Sequence, residues 1–230
     1  MSEREEAVIA EQRESTYRFL AGLCLAPPAG TLIDAIKDGS ILSAFEEAGD
    51  NKGFAELAGF VKNARALADI QEELAADHAA LFVLPSGVLP HEAVYLDGQK
   101  RLGGEITMSV RQFYEKAGAD ILDKCIEMPD HLGLEMEFMG FLCGIEKVLR
   151  EKGDSEGLAR CIEFQRAFLE GHLLKWVFEC CNEILEKAQY GFYRAAACWM
   201  TEFMEGERKY ITSLHSDLCM KGEGLCEAAI

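Results

Sequence analysis

The chain has 230 residues, 49% of them apolar, which is enough to bury one sizeable core or two small ones. With 27% charged residues, its composition is that of a folded globular protein rather than a disordered one. Its 40 acidic and 23 basic residues give a net charge of −17 at pH 7. Such acidity disfavours nucleic acid and membrane surfaces as partners and favours a cationic ligand such as an arginine-bearing peptide, although it also serves solubility alone.

The N-terminus carries no pattern for export or membrane anchoring. Residues 1–10 include four charged residues in a row, Glu3 to Glu6, and lack an apolar h-region. No stretch approaches the roughly 18 apolar residues that a membrane span needs. The sequence therefore predicts a cytoplasmic protein without stable membrane insertion.

The nine cysteines are scattered along the chain, mostly among apolar neighbours, and none forms a CxxC pair. We interpret them as reduced core thiols, with a redox role left open for the adjacent Cys180 and Cys181. The five histidines, at positions 78, 91, 131, 172 and 215, do not lie at ligand spacing. The sequence thus predicts no cofactor and no stoichiometrically bound metal, and a metal site assembled by the fold is the remaining alternative.

Helical periodicity dominates the first third of the chain. An amphipathic helix of roughly 20 residues is predicted near the N-terminus, and Pro27-Pro28 ends it. Two short helices are predicted over 31–37 and 40–48. Asp50 or Asn51 could cap a longer helix that runs to about Leu74.

A loop interrupts this pattern between Pro85 and Gly104. The segment before it, 73–84, keeps helical spacing, but the loop contains two prolines and four glycines. Loops of this length inside compact domains are uncommon and often functional. We therefore treat residues 85–106 as a candidate hinge and as the place for any domain boundary.

The second half is again helical. A helix is predicted from Thr107 to near Gly118, and a long one follows the break at 127–131 and ends at Gly153-Asp154. Two or three more cover Ser155 to about Met220. We predict an all-α single bundle of about eight to ten helices, one domain over 1–220 and a flexible tail over 221–230.

The first candidate site is the break that holds Glu127, Pro129, Asp130 and His131. Pro129 fits the first turn of a helix, which would place Asp130 and His131 in its opening turn. The simplest interpretation is that Asp130 starts the helix while His131 packs nearby. Catalysis is disfavoured, because adjacent helical side chains diverge and the chain has no nucleophile elbow, Walker loop or zinc-protease motif.

The second candidate site borders the loop. Leu81, Phe82 and Pro85 precede it, and Glu92 and Tyr95 follow among further apolar residues. An apolar surface edged with acids suits an amphipathic peptide with basic ends. The alternative is that these residues only seal the core beneath the loop.

Four stretches together carry a resemblance to a known family. The first two are an opening helix ended by a proline and the proline-bordered loop: Tyr17-Arg18-Phe19-Leu20-Ala21 to Pro27, and Leu81-Phe82, Pro85, Pro90-His91-Glu92-Ala93-Val94-Tyr95, Tyr114 and Gly118. The other two lie in the second half: Glu127-Met128-Pro129-Asp130-His131-Leu132 with Leu134 to Met139, and Phe164-Gln165, Phe168-Leu169, His172-Leu173, Trp176, Tyr190 and Phe203. Over about residues 13–210 this order resembles the TorD/DmsD/NarJ family of redox-enzyme maturation chaperones. Ala93 departs from the serine of many members, and the motif proline directly precedes Asp130.

The resemblance implies an all-helical chaperone rather than an enzyme. Its partners would be the twin-arginine leader peptide and the catalytic subunit of a molybdoenzyme precursor, held in the cytoplasm until the cofactor is inserted. We predict that Glu127, Pro129, Asp130 and His131 face the leader, together with Leu81, Phe82, Pro85, Glu92 and Tyr95 around the loop. Glu92, Glu127 and Asp130 could meet the leader arginines, and the leucines and aromatics of the loop could meet its apolar part. The family includes monomers and dimers, so a homodimer stays open. The alternatives are a helical adaptor between folded partners and a hydrolase that uses His131.

Overall fold

The computed structural model describes residues 3–46, 52–64, 66–119 and 127–220, apart from the side chains of residues 3, 44–46 and 217–220. Over these ranges the chain is helical and contains no strand, which confirms the predicted all-α class. The described α-helices number eleven, slightly more than predicted. They are α1 Glu3–Leu25, α2 Thr31–Asp38, α3 Ile41–Glu46, α4 Lys52–Ala64, α5 Ile70–His78, α6 Glu92–Leu96, α7 Glu105–Lys116, α8 Leu132–Lys152, α9 Ser155–Gly171, α10 Val177–Lys187 and α11 Gly191–Met220.

Two departures from the predicted helices explain the higher number. The single helix predicted up to Leu74 is two helices, because Asp69 starts α5 by accepting hydrogen bonds from the N–H groups of Gln71 and Glu72. The predicted caps Asp50 and Asn51 lie outside the described residues. The loop from Pro85 to Gly104 contains the short helix α6, which periodicity could not reveal over so few residues.

The described residues form two compact units. The first comprises the described parts of Met1–Ala21, His91–Trp176 and Met204–Ile230, and the second those of Gly22–Pro90 and Val177–Phe203. One boundary between these units lies between Pro90 and His91. The proposal of one domain over 1–220 stays a prediction, and the predicted tail over 221–230 lies outside the described residues.

The first unit contains most of α1, the helices α6 to α9, a 3-10 helix at Leu173–Lys175 and the second half of α11. Its centre is formed by large side chains that are almost fully buried: Tyr17, Leu20, Leu132, Met136, Phe168 and Trp176. The helices α8 and α9 pack against each other. The turn between them begins at Gly153, whose φ of 67° is readily adopted only by glycine.

The start of α8 differs from the prediction. Pro129 and Asp130 precede the helix, and His131 is its N-cap residue, with extended backbone angles. The His131 Nδ1 atom accepts a hydrogen bond of 3.1 Å from the Gly133 N–H. The placement of Asp130 and His131 in the opening helical turn was therefore wrong, because the histidine ring takes the capping role usually filled by Ser, Thr, Asp or Asn.

The second unit contains α2 to α5, α10, the first half of α11 and a π-helix at Ala79–Val83. The π-helix ends in a tight turn, in which the Val88 N–H donates to the Leu81 carbonyl over 2.6 Å. This turn exposes Val83 and Leu84, with 68% and 50% of their surfaces accessible. π-Helical turns are rare and are found frequently at functional sites.

The cysteines confirm the core interpretation. The six whose side chains are described, at positions 24, 143, 161, 180, 181 and 198, are buried. Burial raises the pKa of the Cys181 thiol to about 12, so the reactive thiolate is scarce at neutral pH. This argues against a redox role for the Cys180-Cys181 pair.

Among the described residues, none of the helices is both long enough and apolar enough to cross a membrane.

Candidate functional site

The two candidate segments around residues 91–93 and 127–131 meet in the first unit. The Glu92 N–H donates to the Asp130 carbonyl over 2.9 Å, and His91 and His131 face each other in an isolated antiparallel β-bridge. The Asp130 carboxylate adds a second link, because its Oδ2 atom accepts a hydrogen bond of 3.1 Å from the Ala93 N–H. One buried aspartate therefore holds together two segments that lie far apart in the sequence.

Asp130 is completely buried and stays charged. Its Oδ1 atom lies 3.8 Å from the His91 Nδ1 atom, and neither atom has a closer hydrogen-bond partner among the described residues. Burial by itself raises the pKa of the Asp130 carboxyl group, but His91 and the Ala93 N–H outweigh it, so the net shift is downward. Asp130 is thus a buried anion facing an imidazole.

His131 and Glu127 lie beside this pair. His131 is buried, and its ring meets the His91 ring edge to face at a centroid distance of 5.1 Å. Glu127 is half-buried, and one ligand-type atom from each of His91, Glu127 and His131 lies within 4.8 Å of the others. Among the predicted acids of the site, Glu127 is the one with solvent-accessible surface.

A second buried polar cluster continues from Glu92. Its Oε2 atom lies 2.8 Å from the His172 Nδ1 atom, and both side chains are buried. Glu135 lies close by and accepts a hydrogen bond of 3.3 Å from the Trp176 indole N–H. Burial, reinforced by the charges of Glu92 and Asp130, raises the pKa of Glu135 well above its usual value. The surroundings of Glu135 therefore favour the protonated form of its carboxyl group.

Aromatic residues support the outer side of the site. Tyr95, which is half-buried, stacks on Trp176 with a centroid distance of 5.2 Å. The Tyr114 hydroxyl donates a hydrogen bond of 2.7 Å to the Pro129 carbonyl and so fixes the segment before α8. Pro129 itself is half-buried.

The remaining predicted residues belong to the second unit. Leu81 is buried, and Phe82 contacts the rings of His78 and Tyr193 with centroid distances of 5.1 and 5.8 Å. Pro85 is exposed in the turn after the π-helix. The peptide-binding role assigned to these three residues stays a prediction.

Sequence reasoning assigned no role to His91, Glu135, His172 or Trp176, which complete the polar cluster. All four occur within the stretches that carry the family resemblance, so the resemblance alone could have marked them. Spacing could not, since His172 is 80 residues from its partner Glu92.

Exposed apolar side chains occur in the same unit as the two joined segments. They belong to the described part of the first unit and are exposed to between 38% and 50%: Leu96, Leu102, Met108 and Met128. Met128 lies two residues before Asp130. Its neighbourhood thus combines an accessible acid with accessible apolar surface, as an amphipathic ligand requires.

Comparison with known proteins finds relatives that are named as chaperones. A chaperone protein TorD of Vibrio vulnificus is 30% identical over 62% of this chain and 66% of its own length. The TorD of Photobacterium profundum is 23% identical over 90% of this chain and 85% of its own. A crystal structure of a putative redox enzyme maturation protein from Archaeoglobus fulgidus matches 87% of this chain and 93% of its own, with 20% identity and a TM-score of 0.46.

The match to the first of these relatives covers slightly less than two thirds of its length. The family model described as nitrate reductase delta subunit matches residues 47–182 of this chain. That range is more than half of the sequence, and it includes both joined segments and the polar cluster. The resemblance that the motifs indicated is thereby confirmed, and the chain belongs to the nitrate reductase delta subunit family.

Proposed function

We propose that this protein is a cytoplasmic chaperone, not an enzyme, for a molybdoenzyme precursor. In this proposal it binds the twin-arginine leader of the catalytic subunit and holds it until the cofactor is inserted and assembly is complete. Family membership and relatives named as chaperones support the general role. The joining of residues 91–93 to 127–131 by Asp130 supports the location of the site.

The proposed binding residues have different roles according to how buried they are. Glu92 and Asp130 are buried and already bonded within the protein, so we assign them the positioning of the two segments. His131 has the same role at the start of α8. Glu127 has accessible surface and is the acid that we expect to contact a leader arginine directly, through a charge-assisted hydrogen bond.

The apolar part of a leader needs a different surface. Tyr95 and Pro129 are half-buried, and exposed Met108 and Met128 add flexible thioether side chains. Methionine adapts to ligands of varied shape, which suits leaders that share apolar character more than sequence. We propose that these residues contact the apolar stretch that follows the arginines.

Net charge supports a cationic ligand as well. A net charge of −17 attracts a leader whose charged end is basic and raises its rate of encounter. This attraction is long-ranged and is screened by salt, whereas contact with the apolar stretch is much less so. Salt and arginine replacement therefore separate the two contributions.

The test uses the leader of the natural client, identified by pull-down from the native cytoplasm and mass spectrometry. Replacing both leader arginines by glutamine should weaken binding about tenfold or more, about 1.4 kcal/mol, because the charge-assisted bonds are lost. Raising the salt from about 0.1 M to 1 M shortens the screening length from about 10 Å to 3 Å, and should also lower the affinity of the natural leader.

Isothermal titration calorimetry with the synthetic leader measures both effects. The leader with both arginines replaced by glutamine is the control for the salt effect, because its affinity should respond much less to salt than that of the natural leader. An affinity that is indifferent to arginine replacement and to salt would rule out leader recognition by the acidic site. A protein that binds the folded client but not the isolated leader would instead be an adaptor.

A further inference from the structure

His91, Glu127 and His131 form a group whose chemistry goes beyond peptide binding. One ligand-type atom of each residue lies within 4.8 Å of the others. His91 belongs to one segment, and Glu127 and His131 belong to the other. The β-bridge between His91 and His131 holds the backbones of the two segments together. We propose that these three side chains form a binding site for a divalent transition metal ion, with Zn²⁺ as the expected ion.

The ligand set favours zinc among divalent ions. Two imidazole nitrogens and one carboxylate are a common zinc combination, whereas Mg²⁺ and Ca²⁺ prefer oxygen ligands. Three protein ligands leave the fourth tetrahedral position to a water molecule. Glu127 keeps some accessible surface, which gives a metal ion a path to the two buried rings.

Asp130 supplies the outer partner that metal-bound histidines usually have. A ligating imidazole commonly donates its second ring N–H to a carboxylate, which fixes the ring and raises its basicity. His91 Nδ1 points toward Asp130 Oδ1 at 3.8 Å, and both atoms are buried without another hydrogen-bond partner among the described residues. With Nδ1 protonated and facing Asp130, the His91 Nε2 lone pair is available to the metal.

His131 binds the metal at the expense of an existing bond. A neutral imidazole has one nitrogen lone pair in the ring plane. In His131 this lone pair is on Nδ1, where it accepts the hydrogen bond from the Gly133 N–H. Coordination must therefore displace this N-cap hydrogen bond, a loss of the size usual for a helix cap. Several coordinate bonds to zinc outweigh one cap.

The three ligand atoms must also move closer together. Zinc bonds of about 2.0–2.2 Å in a tetrahedron separate ligand atoms by about 3.3 Å, less than the present limit of 4.8 Å. Glu127 lies before the start of α8 and is half-buried, so rotation of its side chain can bring its carboxylate closer to the two imidazole rings, whose own nitrogens must also approach each other.

A metal bound here would link the segment at His91 to the segment that leads into α8. Because the unfolded chain lacks the assembled site, such a metal stabilises the folded protein by mass action. The melting temperature of the whole protein should then rise with zinc concentration. No leader peptide takes part in this measurement, so its result is independent of the proposed chaperone function.

The experiment titrates metal-free full-length protein with Zn²⁺ in competition with a chromophoric chelator. We expect one Zn²⁺ per chain and a zinc-dependent rise in melting temperature. Glu127→Gln removes a charged ligand at nearly constant shape and should weaken binding about tenfold or more, since even changes beyond the ligands cost about 10–100-fold. His91→Gln should weaken it at least as much. His215→Gln, at a histidine of α11 paired with Glu163, should leave it unchanged.

Cobalt(II) substitution distinguishes this site from the cysteines. Binding by nitrogen and oxygen ligands gives weak visible bands, whereas thiolate ligands add strong near-ultraviolet absorption. If His91→Gln fails to fold, Glu127→Gln alone decides the question. Undiminished affinity in Glu127→Gln, a thiolate band, or the absence of stoichiometric binding would each overturn the proposal.

Discussion

Replacing Arg13 by alanine should lower the free energy of unfolding by about 3–5 kcal/mol, the loss expected when one partner of a buried ion pair is removed. Arg13 is only 5% exposed, and its guanidinium donates to Glu207, Glu146 and Gln165 at 2.7–2.8 Å. Without it, the buried Glu207 keeps only the Tyr17 hydroxyl as a described side-chain donor. Urea unfolding followed by circular dichroism measures the change.

Arg18 provides the matched control for Arg13. It lies on the same helix α1, and its side chain is 59% exposed, with a salt bridge of 2.9 Å to Glu14. Exposed pairs of this type contribute about 0–1 kcal/mol, so Arg18→Ala should change stability little. Equal losses in the two variants would show that the buried network does not carry the stability assigned to it.

Glu135→Gln should change how stability depends on pH. Burial raises the folded-state pKa of Glu135 well above its value in the unfolded chain, so folding retains a proton that the unfolded chain releases. The contribution of Glu135 to the free energy of unfolding is complete below its pKa in the unfolded chain, about 4.3. It declines as the pH rises toward the pKa of Glu135 in the folded protein. Glutamine has nearly the same shape, can still accept from the Trp176 N–H, and does not titrate.

The variant should therefore gain stability relative to the wild type as the pH rises from about 4 to 8. Glu137→Gln, at an exposed position of the same helix α8, controls for the lost acid and should show no such gain. Melting temperatures at a series of pH values compare the three proteins. A difference between Glu135→Gln and the wild type that stays constant with pH would mean that Glu135 is ionised in the folded protein.

The sequence predicted the long elements of the fold well. The opening helix and α8 were predicted because apolar periodicity extends over many turns and ends at Pro27-Pro28 or Gly153. The separation of α4 from α5 and the existence of α6 were missed. In α6, the backbone of Glu92 bonds to Asp130, so a contact distant in sequence decides a short local structure.

The candidate site was predicted in part. The motif pointed to Glu92, Glu127, Asp130 and His131, and the structure places these four in the same unit. Their burial could not be predicted, because it depends on pairs such as Glu92 with His172 that no local pattern reveals. A polar motif in a single sequence does not show whether a residue is exposed and contacts a ligand or is buried and holds other residues in place.

This distinction decides which substitutions are informative. Asp130→Ala would leave the buried Ala93 N–H without its acceptor and disturb the joined segments, so lost binding would not identify a contact. Glu127 is half-buried, and its replacement by glutamine changes charge without removing volume. Glu127 is therefore the position at which a direct contact with the leader can be distinguished from a structural role.

The most direct test is a double-mutant cycle between Glu127→Gln and the leader in which glutamine replaces both arginines. Titrations contain a chelator, so bound metal cannot contribute. Glu156→Gln, at an exposed acid of α9, controls for the change in net charge. We predict that Glu127→Gln weakens binding of the natural leader about tenfold and hardly affects the glutamine leader, with a coupling of about 1 kcal/mol or more. Equal losses for both leaders, or none, would contradict direct recognition of the leader arginines by Glu127.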